Sequence, residues 1–398
     1  MPKRTASAPS RLTGRFLASL KEINAAEWDA CAGTDHPFVR HAFLSALEDS
    51  GSAVAATGWL ARHVVVEDVT QGVVGVMPMY AKSHSYGEYV FDHGWAEAFE
   101  RAGGRYYPKL QVAVPFTPVP GPRLMARADC NTVAVCDALI ESALALADEA
   151  ALSSLHLTFL LEADATALKA RDLLHRTGLQ FHWMNHGYAN FDDFLSTLAA
   201  RKRKQIKRER REALQAGLRV RVLSGPDIEE HHWDAFFAFY EDTGSRKWGA
   251  PYLTRAFFSL LSERMAESIV LILVERAGRP IAGALNLQGT DALYGRNWGA
   301  LEHHPFLHFE VCYYQAIDYA IAHGLARVEA GAQGEHKLAR GYLPVATHSS
   351  HWIAHEGLRQ AVRGFLARET PAVAQEIELL ADHGPFRHGA SAATSNDG

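Results

Sequence analysis

Apolar and polar positions along the chain switch repeatedly between a period near 3.6 and a period of 2. From Ile23 the pattern is helical: Ala25–Ala30, then HPFVRHAFLSALEDSG, where Phe43, Leu44 and Leu47 make an apolar stripe and Gly51 follows the last turn. Trp59–Val66 and Gly72–Tyr80 are strand-like runs around the polar turn 67–71, which predicts a hairpin. Ser85–Ala96 alternates aromatic with small or polar residues, predicting a strand buried on one face. Pro108, Pro115, Pro118, Pro120 and Pro122 then forbid a helix and a central strand through much of Arg105–Met125, so an ordered, extended wrap is expected. Asp129–Ala150 reads as a helix, Leu152–Leu160 as a strand, Ala163–Thr177 as a helix and Gly178–Trp183 as a strand. This α, β, α, β series closes a first domain over residues 15–185.

The second half repeats the coarse order. A helix over 198–216 leads to the strand Leu218–Leu223, helices at His232–Thr243 and Leu253–Met265, and strands at Ile269–Glu275 and Ile281–Leu287. A further strand follows the turn residues Gly289, Thr290 and Asp291. Phe309, Cys312, Tyr313, Ala316, Ile317, Ala320 and Ile321 recur at helical spacing up to Gly324, and the strand LARVEAG comes next. Val345–Ile353 is a last strand, and Gly357–Leu380 a helix interrupted near Pro371. Residues 1–14 read as a loose leader, 186–384 as the second domain and 385–398 as a disordered tail.

Composition narrows the classes. The net charge of −5 excludes a generally basic nucleic-acid binder, so attraction to phosphate has to be local. Cys31, Cys130, Cys136 and Cys312 contain no CxxC pair, which argues against thiolate zinc and disulfide frameworks and for reduced thiols in the cytoplasm. No apolar run reaches membrane-spanning length and no signal core is present. His304, His308 and Glu310, or His351 and His355, invite a reading as metal ligands, but HExxH is missing and no metal or resident cofactor is expected.

Chemistry-bearing residues gather where elements end. Tyr294, Asn297 and Trp298 lie along or at the end of the strand after the 289–291 turn, and Glu335, His336, Lys337 and Arg340 lie in a Gly-punctuated loop after LARVEAG. Arg246, Lys247 and Trp248 sit between two helices, placed to close over a substrate. In RKRKQIKRERREA, the cations Arg201, Lys202, Arg203, Lys204, Lys207, Arg208, Arg210 and Arg211 surround one helix with Ile206 nearly the sole apolar residue among them. Solvated surface is the bland explanation; a phosphate- or RNA-binding surface is the sharper one, since positive charge in an acidic chain concentrates here.

The blocks HPFVRHAFLSALEDSG, YYPKLQVAVPFTPVPGPRL, RKRKQIKRERREA, FYEDTGSRKWGAPYLTRAFF, RNWGALEHHPFLHFEVCYYQAIDYAIAHG and GAQGEHKLARGYLP run from about residue 36 to 350. Together they resemble the FemAB-like family of bacterial N-acyltransferases, linked to peptidoglycan biosynthesis and recognition. The resemblance implies an α/β (α+β) fold of tandem GNAT-like acyltransferase domains, each a mixed, mostly antiparallel sheet flanked by helices. It implies N-acyl or aminoacyl transfer to an amine, such as that of a cell-wall precursor. GNAT enzymes that use acyl-CoA carry an R/Q-x-x-G-x-G/A loop at a helix N-terminus, whose N–H groups hold pyrophosphate. The corresponding stretch here is LEHHPFLHFE, so aminoacyl-tRNA is expected as donor in preference to acyl-CoA. Glu335 or His336 is the expected base, Lys337 or Arg340 the group that steadies an oxyanion or phosphate, and Tyr294, Asn297, Trp298, Arg246, Lys247 and Trp248 the substrate contacts. An acyl-CoA-dependent N-acyltransferase and a non-catalytic protein binding RNA or a wall precursor are the alternatives, and the oligomeric state is left open.

Overall fold

The computed structural model describes residues 12–215, 217–247, 251–331 and 334–387, with the backbone alone for 245–247 and 335. The chain forms two compact units: Met1–Gly178 with Thr347–Thr370, and Leu179–Ala346 with Pro371–Gly398.

In the first unit the predicted hairpin forms between His63–Asp68 and Gly72–Met77, flanked by Leu12–Leu17 and Met125–Ala126. Arg62 and Pro78 break both runs. Beyond them Trp59–Ala61 pairs with Met79–Lys82 in a second ladder that continues through Lys109–Val112 and Ser154–Leu160 to residues 348–353. Lys109–Val112 and Ser154–Leu160 run parallel, so the chain must cross over between them, and the helix Thr132–Glu149 makes that crossing. Val135, Leu139, Ile140 and Ala143 of the helix pack against Val64, Val66, Leu110, Leu155 and Leu157 of the strands.

The second unit is a meander of Leu218–Ser224, Ile269–Arg276, Arg279–Gln288 and Ala292–Ala300. A helical segment over 307–322 then leads to Arg327–Glu329, parallel to the start of Ala292–Ala300, and residues 182–184 add an antiparallel strand beyond it. Strand, crossover helix, parallel strand thus occurs once in each unit, which is the expected duplication.

The units are not the contiguous halves that the sequence suggested. Residues 182–184 pair in the second unit, while residues 348–353 supply the antiparallel neighbour of Ser154–Leu160 in the first. Hydrophobic alternation reveals a strand but not its ladder partner, so a boundary near residue 185 looked complete. Other differences are local. Leu12–Gly14, placed in the leader, pair with Val66–Asp68, and Phe386, placed in the tail, bridges to Leu198. Ser85–Ala96 is not a strand: Gly87 and Tyr89 take positive φ, and a helix begins at His93. A central strand fits between Pro108 and Pro115, because residues 109–112 keep all their N–H groups. The remainder of the proline-rich stretch is a buried wrap, pinned by Arg123, whose guanidinium donates to the carbonyls of Thr158, Pro122 and Val119. Pro371 lies inside one helix, Glu356–Asp382, and does not interrupt it.

Loop 83–92 covers a buried charge cluster. Lys82 and Lys109 face each other across their ladder, both with fully buried side chains. Two ammonium groups so placed repel, and the loop answers with carboxylates. Lys109 Nζ donates to Glu88 at 2.7 Å, Asp92 at 2.5 Å and Ser85 at 2.8 Å, and Lys82 Nζ sits 3.6 Å over the Trp59 ring. Burial pushes Glu88 up to about 7. Lys109→Met leaves both carboxylates without their main cation, so a loss of about 3–5 kcal/mol is expected. Urea denaturation checks it.

Candidate active site in the second unit

The second unit's parallel pair is short. Ala292, Leu293 and Tyr294 align with Arg327, Val328 and Glu329, after which Gly295–Ala300 has no parallel partner among the described residues. The two strands therefore part at Tyr294 and Glu329. On its other edge Ala292–Ala300 carries a bulge: Leu285 opposes Asn297 and Asn286 opposes Gly295, which makes Arg296 the extra residue. A bulge of this kind bends a strand and re-aims its side chains.

Each side of the opening is lined differently. Leu293 and Val328 point into the core beneath the helical segment, together with Ala316, Ile317 and Ala320. On that side a cleft of about 430 Å³ is lined by Trp298, Phe306, Leu307, His308 and Phe309, with Glu302 and His304 at its wall. Alternation sends Tyr294, Glu329 and His182, which are register neighbours, to the opposite face. Glu329 is 4% exposed; Oε1 accepts from Arg327 Nε at 2.8 Å, and Oε2 has no hydrogen-bond partner. Burial outweighs Arg327 and raises the Glu329 carboxyl to about 7. The His182 ring, 3.7 Å from Oε2, is pushed down to about 3 by its own burial, then by Arg327 and Lys337.

Residues 335–340 form a 3-10 turn that sorts its side chains. His336 points outward, with Nε2 2.9 Å from the Tyr313 hydroxyl and its ring beside Phe309 and His308, so it borders the cleft. Lys337 turns inward and is 3% exposed. Its Nζ donates to the carbonyls of Ala330 at 2.5 Å and Gly331 at 2.9 Å, and burial lowers its pKa to about 8. The Arg340 guanidinium is held at two of its nitrogens: Nη2 donates to Glu209 at 2.8 Å, Nη1 to the His336 carbonyl at 2.6 Å, and the group lies 3.4 Å over the Phe309 ring. Its Nε is buried without a hydrogen-bond partner.

Of the other expected contacts, Trp298 lies in the cleft, its ring 5.4 Å from that of His308. Asn297 sits at the bulge, and Tyr294 is buried beside Glu329. Trp248 and the side chains of Arg246, Lys247 and Glu335 lie outside the described residues. Among the residues read as possible metal ligands, His304 meets Glu302 at 2.9 Å, Glu310 accepts from Arg210, and His351 Nδ1 lies 2.7 Å from His156 Nδ1.

The basic run folds as Ala200–Ala213, and it has an inner face that the cation count concealed. Ile206, Glu209 and Ala213, at i, i+3 and i+7, are buried, and Arg210 binds Glu310 at 2.9 Å and Asp318 at 2.6 Å. Lys207 pairs with Asp192 and Arg208 with Glu212. Arg201, Lys202, Arg203, Lys204 and Arg211 have no carboxylate partner among the described residues. Sequence reasoning missed Glu209, Arg296 and Glu329; the signal for the first was an acid three residues after Ile206, on its side of the helix.

Duplicated sheets, each with a strand, a crossover helix and a parallel strand, define a tandem GNAT-like fold. The sequence pattern of the FemAB-like family, described as peptidoglycan biosynthesis/recognition, matches residues 19–388. The chain belongs to that family. Among solved structures it is similar to FemX, at 14% identity and a TM-score of 0.53 over 86% of this chain and 98% of that one. A conserved protein of unknown function from Bacteroides thetaiotaomicron aligns at 10% identity and a TM-score of 0.52, covering 85% and 99%. A tandem GNAT protein from the clavulanic acid biosynthesis pathway aligns at 12% identity and a TM-score of 0.45, covering 86% and 98%. No curated protein matches the sequence. Among the described residues no helix is long and apolar enough to cross a membrane.

Lys337 yields a prediction with a definite sign. Its folded pKa, about 8, lies below the ordinary lysine value of 10.5, so the unfolded chain binds the extra proton between those values. Stability of the native chain should rise with pH across that window, by on the order of 3 kcal/mol at most. In Lys337→Met this rise should be missing, as measured by denaturant midpoints at pH 7.5 and 10.

Proposed function

We propose that the chain moves an aminoacyl group from aminoacyl-tRNA to the amine of a cell-wall precursor. The observation that carries this reading is the basic helix: it is docked firmly by Glu209 and Arg210, yet five cations on it find no carboxylate among the described residues. A helix held in place with its outward charge unspent suits a polyanion, whose backbone contributes affinity by releasing counterions.

The cleft supports the same donor. At the start of the helical segment Phe306 takes a left-handed conformation after Pro305. The N–H groups of Leu307 and Phe309 donate to the carbonyls of His304 and Phe306, and that of Glu310 also donates to Phe306. Few donors are left to cradle a pyrophosphate, which weighs against CoA. An aminoacyl ester needs no such cradle. It needs a carbonyl held in the opening between the strands, beside backbone N–H groups able to receive the negative charge that develops on its oxygen. Past Tyr294 the strand has no parallel partner among the described residues, and the rings of Trp298, His308 and Phe309 form a wall that limits water.

The test is incubation of the purified protein with a pool of labelled aminoacyl-tRNAs and cell extract, following the label by mass spectrometry. Transfer to a wall-precursor amine is expected; a product formed only when acyl-CoA is supplied overturns the donor. Neutralising Arg201, Lys204 and Arg211 together by Gln should reduce the slope of log affinity for tRNA against log salt by about 2–3, read from binding titrations at several salt concentrations.

A further inference from the structure

We infer that Glu329 is the base that takes the proton from the acceptor ammonium, in place of Glu335 or His336. The inference rests on the transfer reaction proposed above and adds the residue that makes its nucleophile.

Three features converge on this carboxylate. It closes the short parallel pair, so it stands where the strands part and where an acyl carbonyl would be held. Its Oε1 is anchored by Arg327, whose Nε lies 2.8 Å away, while Oε2 is buried without a hydrogen-bond partner. An acceptor-only oxygen left bare in a buried site is costly unless something arrives to donate to it, and an ammonium is such a donor. Finally, Glu329 faces away from the core beneath the helical segment, whereas Trp298 and His308 line the cleft on that segment's side. Donor and acceptor can then approach the carbonyl from two sides without competing for one space.

The surroundings set its proton affinity. Arg327 on its own strand favours the charged form, whereas burial and Asp291 at the preceding hairpin oppose it. Tyr294 on one neighbouring strand stays protonated because burial and Glu329 hold its hydroxyl up. His182 on the other neighbour is held neutral by burial, and Lys337 from the 335–340 turn adds to that depression. A carboxylate raised to about 7 is ionised in useful fraction at neutral pH and basic enough to accept from an amine. His336, with its pKa lowered by burial and by Arg340 and Lys337, is tied to Tyr313 on the cleft side.

The step balances simply. The acceptor ammonium gives one proton to Glu329 Oε2, and the free amine forms the new C–N bond at the ester carbonyl. As the tetrahedral centre collapses, the ester C–O bond breaks, the second acceptor proton goes to the leaving ribose oxygen, the third stays on the amide nitrogen, and Glu329 returns the proton it took to water.

The experiment compares the native chain, Glu329→Gln and Glu329→Asp in the labelled aminoacyl-tRNA assay from pH 5 to 9. The native chain should show an acid limb in kcat/KM, and Glu329→Gln should lose at least about 100-fold in kcat with little change in KM for tRNA, and lose the limb. Glu329→Asp should recover part of the rate. A Gln variant within threefold of native, or one that keeps the acid limb, overturns the assignment while leaving the transfer reading intact. A native chain that transfers nothing overturns the transfer reading itself. Thermal unfolding of the same proteins shows whether the Gln variant is folded. Native stability should fall relative to this variant as pH rises from about 4.5 towards 7, because the unfolded native chain releases the Glu329 proton there while the folded chain still holds it; a flat difference counts against the base.

Discussion

Glu209 and Arg340 meet at 2.8 Å with 2% and 4% of their side chains exposed, and three segments depend on that meeting. Glu209 fixes the inner face of the basic helix, Arg340 ends the 335–340 turn, and Tyr314, which also donates to Glu209, belongs to the helical segment over 307–322. Gln205 donates to the second carboxylate oxygen. A buried pair of this sort need not stabilise the fold over well-packed apolar residues, but leaving one partner alone is severe, so it acts chiefly as a register device. Its position decides where the site can be. Arg340 lies over Phe309 and holds the His336 carbonyl, hence the wall of the cleft and the imidazole beside it move with the pair.

Around this anchor the helical segment departs from regular α geometry. Glu310–Tyr314 forms a π turn, and its buried Glu310 accepts from Arg210 and Gln315. One added residue in a turn shifts the angular phase of the side chains that precede it relative to those that follow. That shift lets His308 and Phe309 face the cleft while Tyr313 and Tyr314 serve the core and the Glu209 network. Cleft lining and core packing thus come from adjacent turns of one segment.

Most elements were legible from periodicity, because a helix such as Thr132–Glu149 or a strand such as Ile269–Arg276 is strongly patterned over its own length. What was hidden is nonlocal. Nothing in residues 348–353 says that they complete a ladder begun near residue 154. Aromatic alternation in 85–96 imitated a strand, although Glu88 and Asp92 were there to neutralise two lysines that are distant in sequence from one another. The site was half visible. The polar loop after Arg327–Glu329 announced itself by composition, and His336 and Lys337 do stand at its turn, facing opposite ways. Glu329 did not, because one acid in a short strand looks like an ordinary edge residue until its unpaired oxygen is seen.

The basic helix shows why a charge count misleads. Eight cations on fourteen residues suggest a rod charged all round, yet the stripe Ile206, Glu209, Arg210 and Ala213 makes one side a docking surface. Once Arg210, Lys207 and Arg208 are matched to carboxylates, the charge that remains is directional: Arg201, Lys204 and Arg211 are exposed, while Ile206, Glu209 and Ala213 are inside. A chain with a net charge of −5 repels polyanions at long range, where its field is that of its total charge. Within about 8–10 Å, the screening distance near physiological salt, only the local stripe matters. Attraction of that kind selects orientation as well as contact, because a polyanion is held only when it approaches the outer face of a helix whose inner face is locked to the segment that forms the cleft wall.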